Sequence, residues 1–504
     1  MSFIDRFLNA ITMYKVVLYG LFLVALTAIV LGFLGFIFYT GGQLLLSLFV
    51  LMFVCYGSNY LFAKILKAPS NAESSIITAL ILFLIVAPIA SYADAMLMIL
   101  MGLIAIASKY LLAIHKKHLF NPAAIALLIM GLAGIGTAIW WVATPWMLPV
   151  VIIIGLLIVR KVRRFAMFGA FLLTSLVVML ILGNLAGIDY RETLVLAFTS
   201  WPLLFFGTVM LTEPQTSPAL RRYQLVYGAL VALIFTSQFH YGPFYPTPEL
   251  ALVVGNLLAY IVNSKQKLIL HLQKKEQLSP SVYGFSFASD QPLQFQPGQY
   301  LEWTLPEDDA DTRGNRRYFT IASSPTEQNI QLGVRTFAEG SSFKKGLLTM
   351  NTGDTIVASQ LSGEFTLPKD KAKKLVFIAG GIGITPFRSM MKYLIDKEEK
   401  RDVVLMYACA GEGDFVYQDV FDQAAKVIGA RIHYLVTEKE KVTAKWQGKV
   451  GYITKEMIQQ EIPDYLERTF YLSGPGAMVA AYKKLLRELK VSHGKIKTDY
   501  FPGF

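Results

Sequence analysis

The sequence contains little cysteine and, in its first half, little charge. Two cysteines, Cys55 and Cys409, stand among 504 residues, and no Cys-x-x-Cys pair occurs. This excludes a disulfide framework, and it excludes an iron–sulfur cluster held by the chain alone, because such a cluster needs four thiolates. A haem bundle needs paired histidines on facing helices, and no histidine here lies deep within an apolar run. No haem and no metal site is therefore expected; the six histidines are His115, His118, His240, His271, His433 and His493.

Charge divides the chain into two halves. Residues 1–264 contain 14 Lys+Arg and 7 Asp+Glu, about 8% of the segment, whereas residues 265–504 contain 33 and 28, about 25%. The second fraction is that of an ordinary soluble domain, and the first fits a segment surrounded by lipid. Because the positive excess of residues 1–264 lies in short loops between apolar runs, it indicates membrane topology, and no nucleic acid is expected as a partner.

Ten apolar runs of residues 1–264 are each predicted to cross the lipid bilayer as a helix. They lie near residues 16–38, 43–62, 75–91, 95–113, 120–140, 146–160, 165–184, 193–211, 223–238 and 248–263. Thirteen Lys and Arg residues fall in the loops on one side of this arrangement, and Arg191 alone falls on the other. Since positive loops remain inside, the pattern predicts a multi-pass cell-membrane protein with both termini in the cytoplasm.

Three polar segments lie at helix ends on the predicted cytoplasmic side: Ser74–Thr78, Asn121–Ala124 and Thr212–Pro218. Proline leaves carbonyl groups free, and helix starts offer N–H groups that suit an anion such as a phosphate. Each segment alone is typical of helix capping and turns. Three of them facing one compartment favour a shared polar pocket, for which we select Asn121, Thr212 and Thr216.

These motifs resemble those of the NqrB/RnfD family of flavin-carrying membrane subunits, over roughly residues 40–264. The resemblance implies FMN or riboflavin within the membrane domain. The family also attaches FMN to a threonine after the fifth span, and the matching position is Thr144 in Ala-Thr-Pro. The loop here is very short, and Trp141 replaces an expected Ser or Thr, which leaves open either a covalent FMN at Thr144 or a non-covalent flavin stacked near Trp140 or Trp141. The hypothesis is that one flavin lies near Asn121 and Thr212 and another near Thr144, so that electrons pass outward. The alternative is a turn with an interfacial aromatic belt.

The second half of the chain reads as two domains. Residues 265–369 contain short strands with Gly and Pro turns, which predicts a small antiparallel β-barrel. Residues 370–504 alternate apolar strands with amphipathic helices, which predicts an α/β domain with a parallel sheet. The overall expectation is a multi-domain protein with a polytopic α-helical membrane domain, residues 1–264, followed by these two domains.

The barrel contains the segment Arg316–Pro325, in which Arg317, Phe319 and Thr320 are candidates for binding a flavin. A flavin needs an aromatic wall, a hydroxyl group near N5 and a cation for its phosphates. Arg317, Phe319 and Thr320 are expected to face the same side of one strand. Downstream, Gly340, Ser341 and Ser342 offer hydroxyl and N–H groups for a pyrophosphate.

The α/β domain contains a strand that runs directly into Gly380–Pro386, with glycines at 380, 381 and 383. Glycines let such a turn approach a dinucleotide, and the following helix points its positive end at the phosphates. A glycine cluster alone is weak evidence, but its place between a strand and a helix makes it stronger. A second turn, Ser473–Gly476, lies later in the domain.

Together these motifs resemble the ferredoxin–NADP reductase superfamily over nearly all of residues 266–504. The resemblance implies FAD and a nicotinamide nucleotide as cofactors, with Thr320 near flavin N5 and Ser473, where many relatives have Cys, near the nicotinamide; these two are the candidate catalytic residues. A terminal aromatic residue is implied to cover the other flavin face. The implied cofactor-binding residues are Arg317, Tyr318, Phe319, Thr320, Gly340, Ser341, Ser342, Gly380, Gly381, Gly383, Thr385, Pro386, Gly474, Phe501 and Phe504.

The choice between NADH and NADPH depends on the residues after the second strand of the α/β domain. The 2′-phosphate of NADPH needs Arg or Lys there. The stretch Cys409–Asp414 contains two acids and no base, which favours NADH and leaves NADPH open, since a distant Arg can fold over.

The sequence thus predicts a membrane flavoprotein that oxidises cytoplasmic NADH through FAD and passes electrons to a membrane-domain flavin. The final acceptor is an external flavin, a flavoprotein or a quinone. The alternative is an NADH:quinone reductase without electron transfer across the membrane, with or without ion coupling. A transporter or scaffold regulated by the reductase module is a third class, against which the intact nucleotide motifs count.

Overall fold

The computed structural model describes residues 4, 7–8, 11–66, 72–114, 117–238, 245–263, 267–306, 314–337 and 340–499. The chain divides into two compact units. One consists of Ile11–Lys265, and the other contains Gln266–Phe504 together with Met1–Ala10. Each unit has its own architecture and its own candidate site.

The first unit is helical. Its helices are α1 Met13–Phe33, α2 Gly41–Ile65, α3 Ala72–Ile85, α4 Tyr92–Leu111, α5 Pro122–Leu132, α6 Leu148–Val162, α7 Phe165–Leu185, α8 Tyr190–Thr199, α9 Leu203–Met210, α10 Arg221–Thr236 and α11 Pro248–Val262. A two-stranded hairpin, β1 Ala113–Ile114 and β2 Lys117–His118, joins α4 to α5. The second part of α9, Phe206–Met210, is a π-helical turn, a feature frequent at functional sites.

Four of these helices, α1, α2, α4 and α7, are long and apolar enough to cross a membrane, and the pair α8 and α9, bent by 60°, is a possible fifth. Each of the ten predicted apolar runs contains at least one helix, but the count of ten spans is not confirmed. Helices α3 and α5 have 14 and 11 residues, and at 1.5 Å per residue they reach roughly 21 and 16 Å, less than the thickness of a bilayer core.

The prediction of a helix over residues 120–140 is wrong beyond Leu132. The helix ends there because Gly134 adopts a left-handed conformation, with φ of 70°, directly after the C-terminal residue Ala133. The non-helical segment that follows supplies N–H groups to the last turn of α3: Trp140 N donates to Ile85 O at 2.9 Å, and Val142 N donates to Leu84 O at 3.2 Å. The segment after α5 thus satisfies the last carbonyl groups of α3.

The second unit begins with a six-stranded antiparallel sheet. Its strands are β3 Leu268–Ser279, β4 Val282–Ser289, β5 Tyr300–Thr304, β6 Arg316–Thr320, β7 Ile330–Arg335 and β8 Thr355–Ser362, in the order β6-β5-β8-β3-β4-β7, with α12 Ser342–Thr349 beside them. Just after β6, Ala322 N donates to Gln331 O of β7 at 2.8 Å, so the two edge strands approach at that end, as a small barrel requires. Alternating residues of the strands form one apolar core around the buried Trp303.

The remaining domain is α/β with a six-stranded parallel sheet, as predicted. Its elements are β9 Leu375–Gly380, α13 Thr385–Asp396, β10 Val403–Cys409, α14 Gln418–Ile428, β11 Arg431–Val436, β12 Lys449–Val450, α15 Lys455–Glu461, β13 Thr469–Ser473, α16 Gly476–Glu488 and β14 Ile496–Asp499. The strand order β12-β11-β10-β9-β13-β14 puts β9 between β10 and β13. The carboxyl ends of β9 and β13 therefore lie side by side, with Ala379 paired to Ser473.

Candidate functional site

Strand β6 presents Arg317 and Phe319 beside the start of α12. The Phe319 ring lies 5.8 Å from the ring of Phe343 in the first turn of α12, and the Arg317 guanidinium lies 5.5 Å from the same ring. Ser341 caps this helix by accepting a hydrogen bond from Lys344 N. A guanidinium and a capped helix N-terminus thus meet beside an aromatic ring, an arrangement that suits a phosphate-bearing aromatic ligand such as FAD.

The other predicted flavin residues of this region divide into two groups. Thr320 is buried at the end of β6, and Gly340 lies in the turn before the helix, where its N–H donates to Phe337 O at 2.9 Å. Tyr318 points to the face opposite to that of Arg317 and Phe319, because side chains alternate along a strand. Its hydroxyl donates to Glu302 Oε2 at 2.7 Å. The structure therefore separates Tyr318 from Arg317 and Phe319, and the same alternation puts Thr320 on the Tyr318 side, so the prediction that Arg317, Phe319 and Thr320 share one face is wrong for Thr320.

The two predicted glycine turns of the α/β domain meet at the carboxyl ends of β9 and β13. A Cβ atom on Gly383 would lie 2.6 Å from the backbone of Gly474, and one on Gly380 would lie 2.2 Å from Met478 Sδ. Gly381 has a φ of 52°, which side chains with a Cβ rarely adopt. Glycine is required at these positions because neighbouring atoms approach closely or because the backbone is left-handed. Helix α13 begins directly after them.

Thr385 and Ser473 lie beside these turns. The Thr385 hydroxyl donates to Ile382 O at 3.2 Å, and Pro386 occupies the first turn of α13. Ser473 is buried at the end of β13, directly before Gly474. The structure thus brings together all the predicted nicotinamide-nucleotide residues of the α/β domain, whereas Phe501 and Phe504 lie outside the described residues.

Contacts across the boundary between the two domains of this unit bring the two sets of residues close. A Cβ atom on Gly333 of β7 would lie 2.6 Å from the Tyr417 hydroxyl and 3.0 Å from Thr385 Cγ2. Burial raises the pKa of Tyr417 to about 12, so its hydroxyl stays protonated at neutral pH. Glycine at 333 therefore permits the nucleotide domain to approach the flavin domain.

The structure places a base, Lys441, beside the segment that follows β10, where the sequence pattern indicated none. Glu412 Oε2 accepts from Thr443 N at 3.1 Å, and Asp414 Oδ2 accepts from Gly411 N at 3.0 Å, so both acids are used within the protein. Lys441 lies beside this turn, with Cδ 3.1 Å from the position of a Cβ on Gly411. It comes about thirty residues later in the chain, beyond the reach of a local motif. Burial raises the pKa of Cys409 to about 12, which keeps the thiol protonated.

The first unit contains a pocket that all three predicted polar segments line. Ser74 and Thr78 come from α3, Asn121 from the start of α5, and Thr212 from the turn after α9. The remaining wall is mostly apolar and is completed by residues of α1, α6 and α9, including Met13, Val17, Ile158 and Val209. A pocket with mostly apolar walls and a few polar groups is the usual form of a cofactor site.

The predicted residues of this pocket also stabilise the protein around it. Asn121 Oδ1 caps α5 by accepting from Ala124 N at 3.1 Å, as the simpler capping interpretation expects. Thr212 Oγ1 donates to Thr208 O at 2.5 Å. Thr216 is buried behind the pocket wall, where it donates to Glu213 Oε2 at 3.0 Å. Asn121 and Thr212 thus line the pocket, and Thr216 supports it.

Sequence analysis missed the charged groups of the pocket. Glu213 lines it, and Glu213 Oε1 lies 3.5 Å from His118 Nε2 of the hairpin. The side chain of His118, from the short loop between α4 and α5, is only 13% exposed. Gln215 donates to the Tyr14 hydroxyl at the pocket edge. The presence of Glu213 in the Thr-Glu-Pro turn could have indicated a charged group in the pocket, but its partners are distant in sequence.

Thr144 is separate from this pocket, in the segment between α5 and α6. Thr144 Oγ1 is buried and makes no hydrogen bond within the described part of the chain. Trp140 and Trp141 are also buried rather than interfacial: Trp140 Nε1 donates to Glu249 Oε1 at 2.8 Å, and Trp141 Nε1 donates to Val86 O at 2.9 Å. Of this aromatic cluster, Trp146 is 56% exposed and matches the expectation of a surface aromatic residue.

Known proteins match the second half of the chain. Residues 269–366 match the family model of the oxidoreductase FAD-binding domain, and residues 377–484 match that of the oxidoreductase NAD-binding domain. The glycine betaine monooxygenase reductase subunit of Chromohalobacter salexigens is 26% identical over 207 residues, 40% of this chain and 55% of that protein. NADH-cytochrome b5 reductase 1 of Laccaria bicolor is 27% identical over 228 residues, 44% of this chain and 72% of that protein.

A crystal structure of a cytochrome P450 reductase from Amycolatopsis has 22% identity and a TM-score of 0.42, over 47% of this chain and 70% of that one. The chain spans about half the length of the first of the curated relatives it matches. The matched segments nevertheless define a class. The second half of the chain contains an oxidoreductase FAD-binding domain and an oxidoreductase NAD-binding domain, the pair found in NAD(P)H-dependent flavin oxidoreductases.

Proposed function

We propose that the protein is a cell-membrane oxidoreductase that oxidises cytoplasmic NADH and passes the electrons through FAD to a second flavin in its membrane domain. The second flavin is FMN or riboflavin, held without a covalent bond in the pocket lined by Asn121 and Thr212. In this proposal all ten apolar segments lie in the membrane, both termini are cytoplasmic, and the electrons leave to an external flavin or flavoprotein. A buried Thr144 Oγ1 argues against an ester at that residue.

The single observation that carries the proposal is the convergence of three polar segments on one pocket. Ser74, Asn121 and Thr212 are far apart in the sequence, yet all three line it. Local hydrogen bonds explain each residue separately, but they give no reason for three polar segments to line one pocket. The resemblance of the same segments to the NqrB/RnfD family favours a flavin as the occupant.

The flavin content of the purified full-length protein tests this proposal. We expect two flavins per chain, FAD and a second released as FMN or riboflavin on denaturation. Thr212→Val keeps the shape of the side chain, removes its hydroxyl group and should reduce the second flavin without affecting FAD. Thr199→Val is the matched control, because Thr199 Oγ1 makes the same kind of bond, to Val195 O, at an exposed position. FAD as the sole flavin of the wild type would refute the proposal.

The mostly apolar wall of the pocket favours a second candidate, an NADH:quinone reductase that transfers no electrons across the membrane. A quinone has an apolar ring and two carbonyl oxygens, which the amide and hydroxyl groups of the pocket suit. In that case the purified protein contains FAD alone and reduces a soluble quinone analogue with NADH, and Thr212→Val raises the KM for the quinone.

A further inference from the structure

Glu213 occupies a central position among the polar residues of the membrane-unit pocket. Its Oε2 accepts hydrogen bonds from Asn121 Nδ2 at 2.9 Å and from Thr216 Oγ1 at 3.0 Å. Its Oε1 faces the imidazole of His118, with 3.5 Å between Oε1 and Nε2. The carboxyl group therefore has one oxygen fixed by the wall of the pocket and the other directed at a titratable partner.

His118 connects this carboxyl group to the outside of the bundle. It ends the hairpin Ala113–His118 between α4 and α5, three residues before Asn121, and its side chain is 13% exposed. The positive residues of the neighbouring loops predict that this hairpin lies on the cytoplasmic side. His118 is thus placed between water and a carboxyl group that lines the pocket, and imidazole exchanges protons readily near neutral pH.

Other charged or titratable groups face Glu213 from the surrounding helices. Lys109 of α4 interacts with it electrostatically while donating to Ser74 O at 2.8 Å and to Ser74 Oγ at 3.0 Å. Tyr227 of α10 also interacts with it and is bound to Asn256 Nδ2 at 3.1 Å. Arg164, at the start of α7, interacts with Tyr227 and donates to Pro218 O. Lys109, Tyr227 and Arg164 each hydrogen-bond elsewhere in the protein, whereas His118 Nε2 faces Glu213 Oε1.

From this arrangement we propose that His118 and Glu213 carry protons from the cytoplasmic side to the occupant of the pocket, an inference that rests on the proposed function. Two-electron reduction of a flavin takes up two protons, and the electrons come from NADH through FAD. His118 gives a proton to the Glu213 carboxylate and takes up another from water, and Glu213 passes its proton to the reduced flavin. The transfer runs twice, so that both protons of the two-electron reduction are supplied. The contact of 3.5 Å shortens when the pocket is filled, as acid–base contacts in empty sites commonly do. The path supplies protons for reduction and does not cross the membrane.

A purely structural pair would also hold the hairpin against the Thr-Glu-Pro turn, so the test must separate the two roles. Full-length protein in lipid nanodiscs is compared as wild type, Glu213→Gln and His118→Ala, with Glu192→Gln as the control for loss of an exposed carboxylate in the same unit. Flavin content is measured first. Stopped-flow absorbance then follows reduction of FAD and of the second flavin by NADH, with and without added imidazole.

We expect wild-type FAD reduction in every variant. Glu213→Gln should slow reduction of the second flavin by about 100-fold, the scale of one general acid, and His118→Ala should slow it with recovery in imidazole. Infrared difference spectra between the oxidised and reduced protein should contain a carboxyl C=O band in the wild type and in Glu192→Gln, and lack it in Glu213→Gln. A structural role gives neither imidazole recovery nor loss of this band.

Wild-type rates and an unchanged infrared band in both variants would overturn the proton path while leaving the flavin site intact. If Glu213→Gln loses the second flavin, the His118→Ala variant tests the proton path. Slow reduction of the second flavin that imidazole restores supports the path, and an unchanged rate of reduction overturns it. If the wild type itself contains only FAD, the proposed function fails at the first measurement, and the proton path fails with it.

Discussion

Arg388 and Glu327 form a buried ion pair that joins the flavin domain to the nucleotide domain, with Arg388 Nη2 2.8 Å from Glu327 Oε1 and a second contact through Nη1. Arg388 lies in the first turn of α13, directly after the glycine turn, and it also donates to Ala322 O at 3.1 Å. Ser389 Oγ donates to Ser323 O at 2.6 Å. The segment that follows Thr320 is therefore fixed to the helix that follows Gly383.

The first prediction concerns this pair. Arg388→Ala removes the charged partner of the partly buried Glu327 carboxylate, so the free energy of unfolding of the soluble module should fall by about 2 kcal/mol. Flavin reduction by NADH should also slow, because the two turns are no longer held together. Thermal unfolding followed by FAD fluorescence and stopped-flow reduction measure the two effects. The control is Lys392→Ala, which removes a cation from an i,i+4 surface pair and should lower the free energy of unfolding by less than about 0.5 kcal/mol. Equal losses of stability in the two variants would refute a special role for the pair of Arg388 and Glu327.

The second prediction is that Arg317→Ala abolishes NADH oxidation by removing FAD while the membrane domain stays folded. A hydrogen bond between charged groups contributes about 1.5–3 kcal/mol, so FAD binding should weaken by roughly 10- to 100-fold. Bound FAD in the purified protein measures this. Arg316→Ala, which removes the neighbouring cation of β6, is the control and should retain FAD; if Arg317→Ala keeps full FAD and full turnover, Arg317 does not bind the cofactor.

A third prediction distinguishes nucleotide binding from flavin binding. Gly381→Glu forces a side chain into a backbone conformation with φ of 52°, at a cost of about 1 kcal/mol, and places a negative charge where a pyrophosphate is expected. NADH oxidation should be lost, with FAD still bound and the membrane domain still folded. Gly494→Glu is the control, since a Cβ there meets no atom within 4 Å. Wild-type turnover in Gly381→Glu would exclude the turn as the NADH site.

The fourth prediction is that the fragment beginning at Gln266 folds alone, binds FAD and reduces artificial acceptors with NADH. It forms most of one compact unit with its own apolar cores. Absorbance of the purified fragment and ferricyanide reduction test this. A folded fragment that contains no flavin would show that the antiparallel domain was assigned wrongly.

The sequence predicted the features that depend on local patterns. Periodicity indicated the parallel and antiparallel sheets, and turn residues indicated the glycine turns. The position of Asn121 and Thr212 at helix ends indicated that they lie together. The early end of α5 was missed, although Gly134 carried the signal. It was missed because the residues beyond Gly134 are as apolar as a helix in lipid, while their N–H groups bind the end of α3 instead.

Contacts between distant residues could not be predicted. His118 and Glu213 are 95 positions apart, and Arg388 and Glu327 are 61 apart, so their pairing depends on the tertiary fold. Tyr318 was grouped with the flavin residues because of its place in the motif, although strand alternation indicates the opposite face. Lys441 was missed for the same reason as His118, because the turn beside it belongs to another part of the chain.

Electron transfer across the membrane is the central claim, and one measurement tests it most directly. The full-length protein is placed in sealed vesicles with its soluble module inside, NADH is enclosed with it, and a membrane-impermeant electron acceptor is added outside. The account predicts that the external acceptor is reduced at the expense of internal NADH, and that Arg317→Ala prevents this. Reduction of lipid-soluble quinones alone, with no reduction of the external acceptor, would contradict it and favour the quinone reductase.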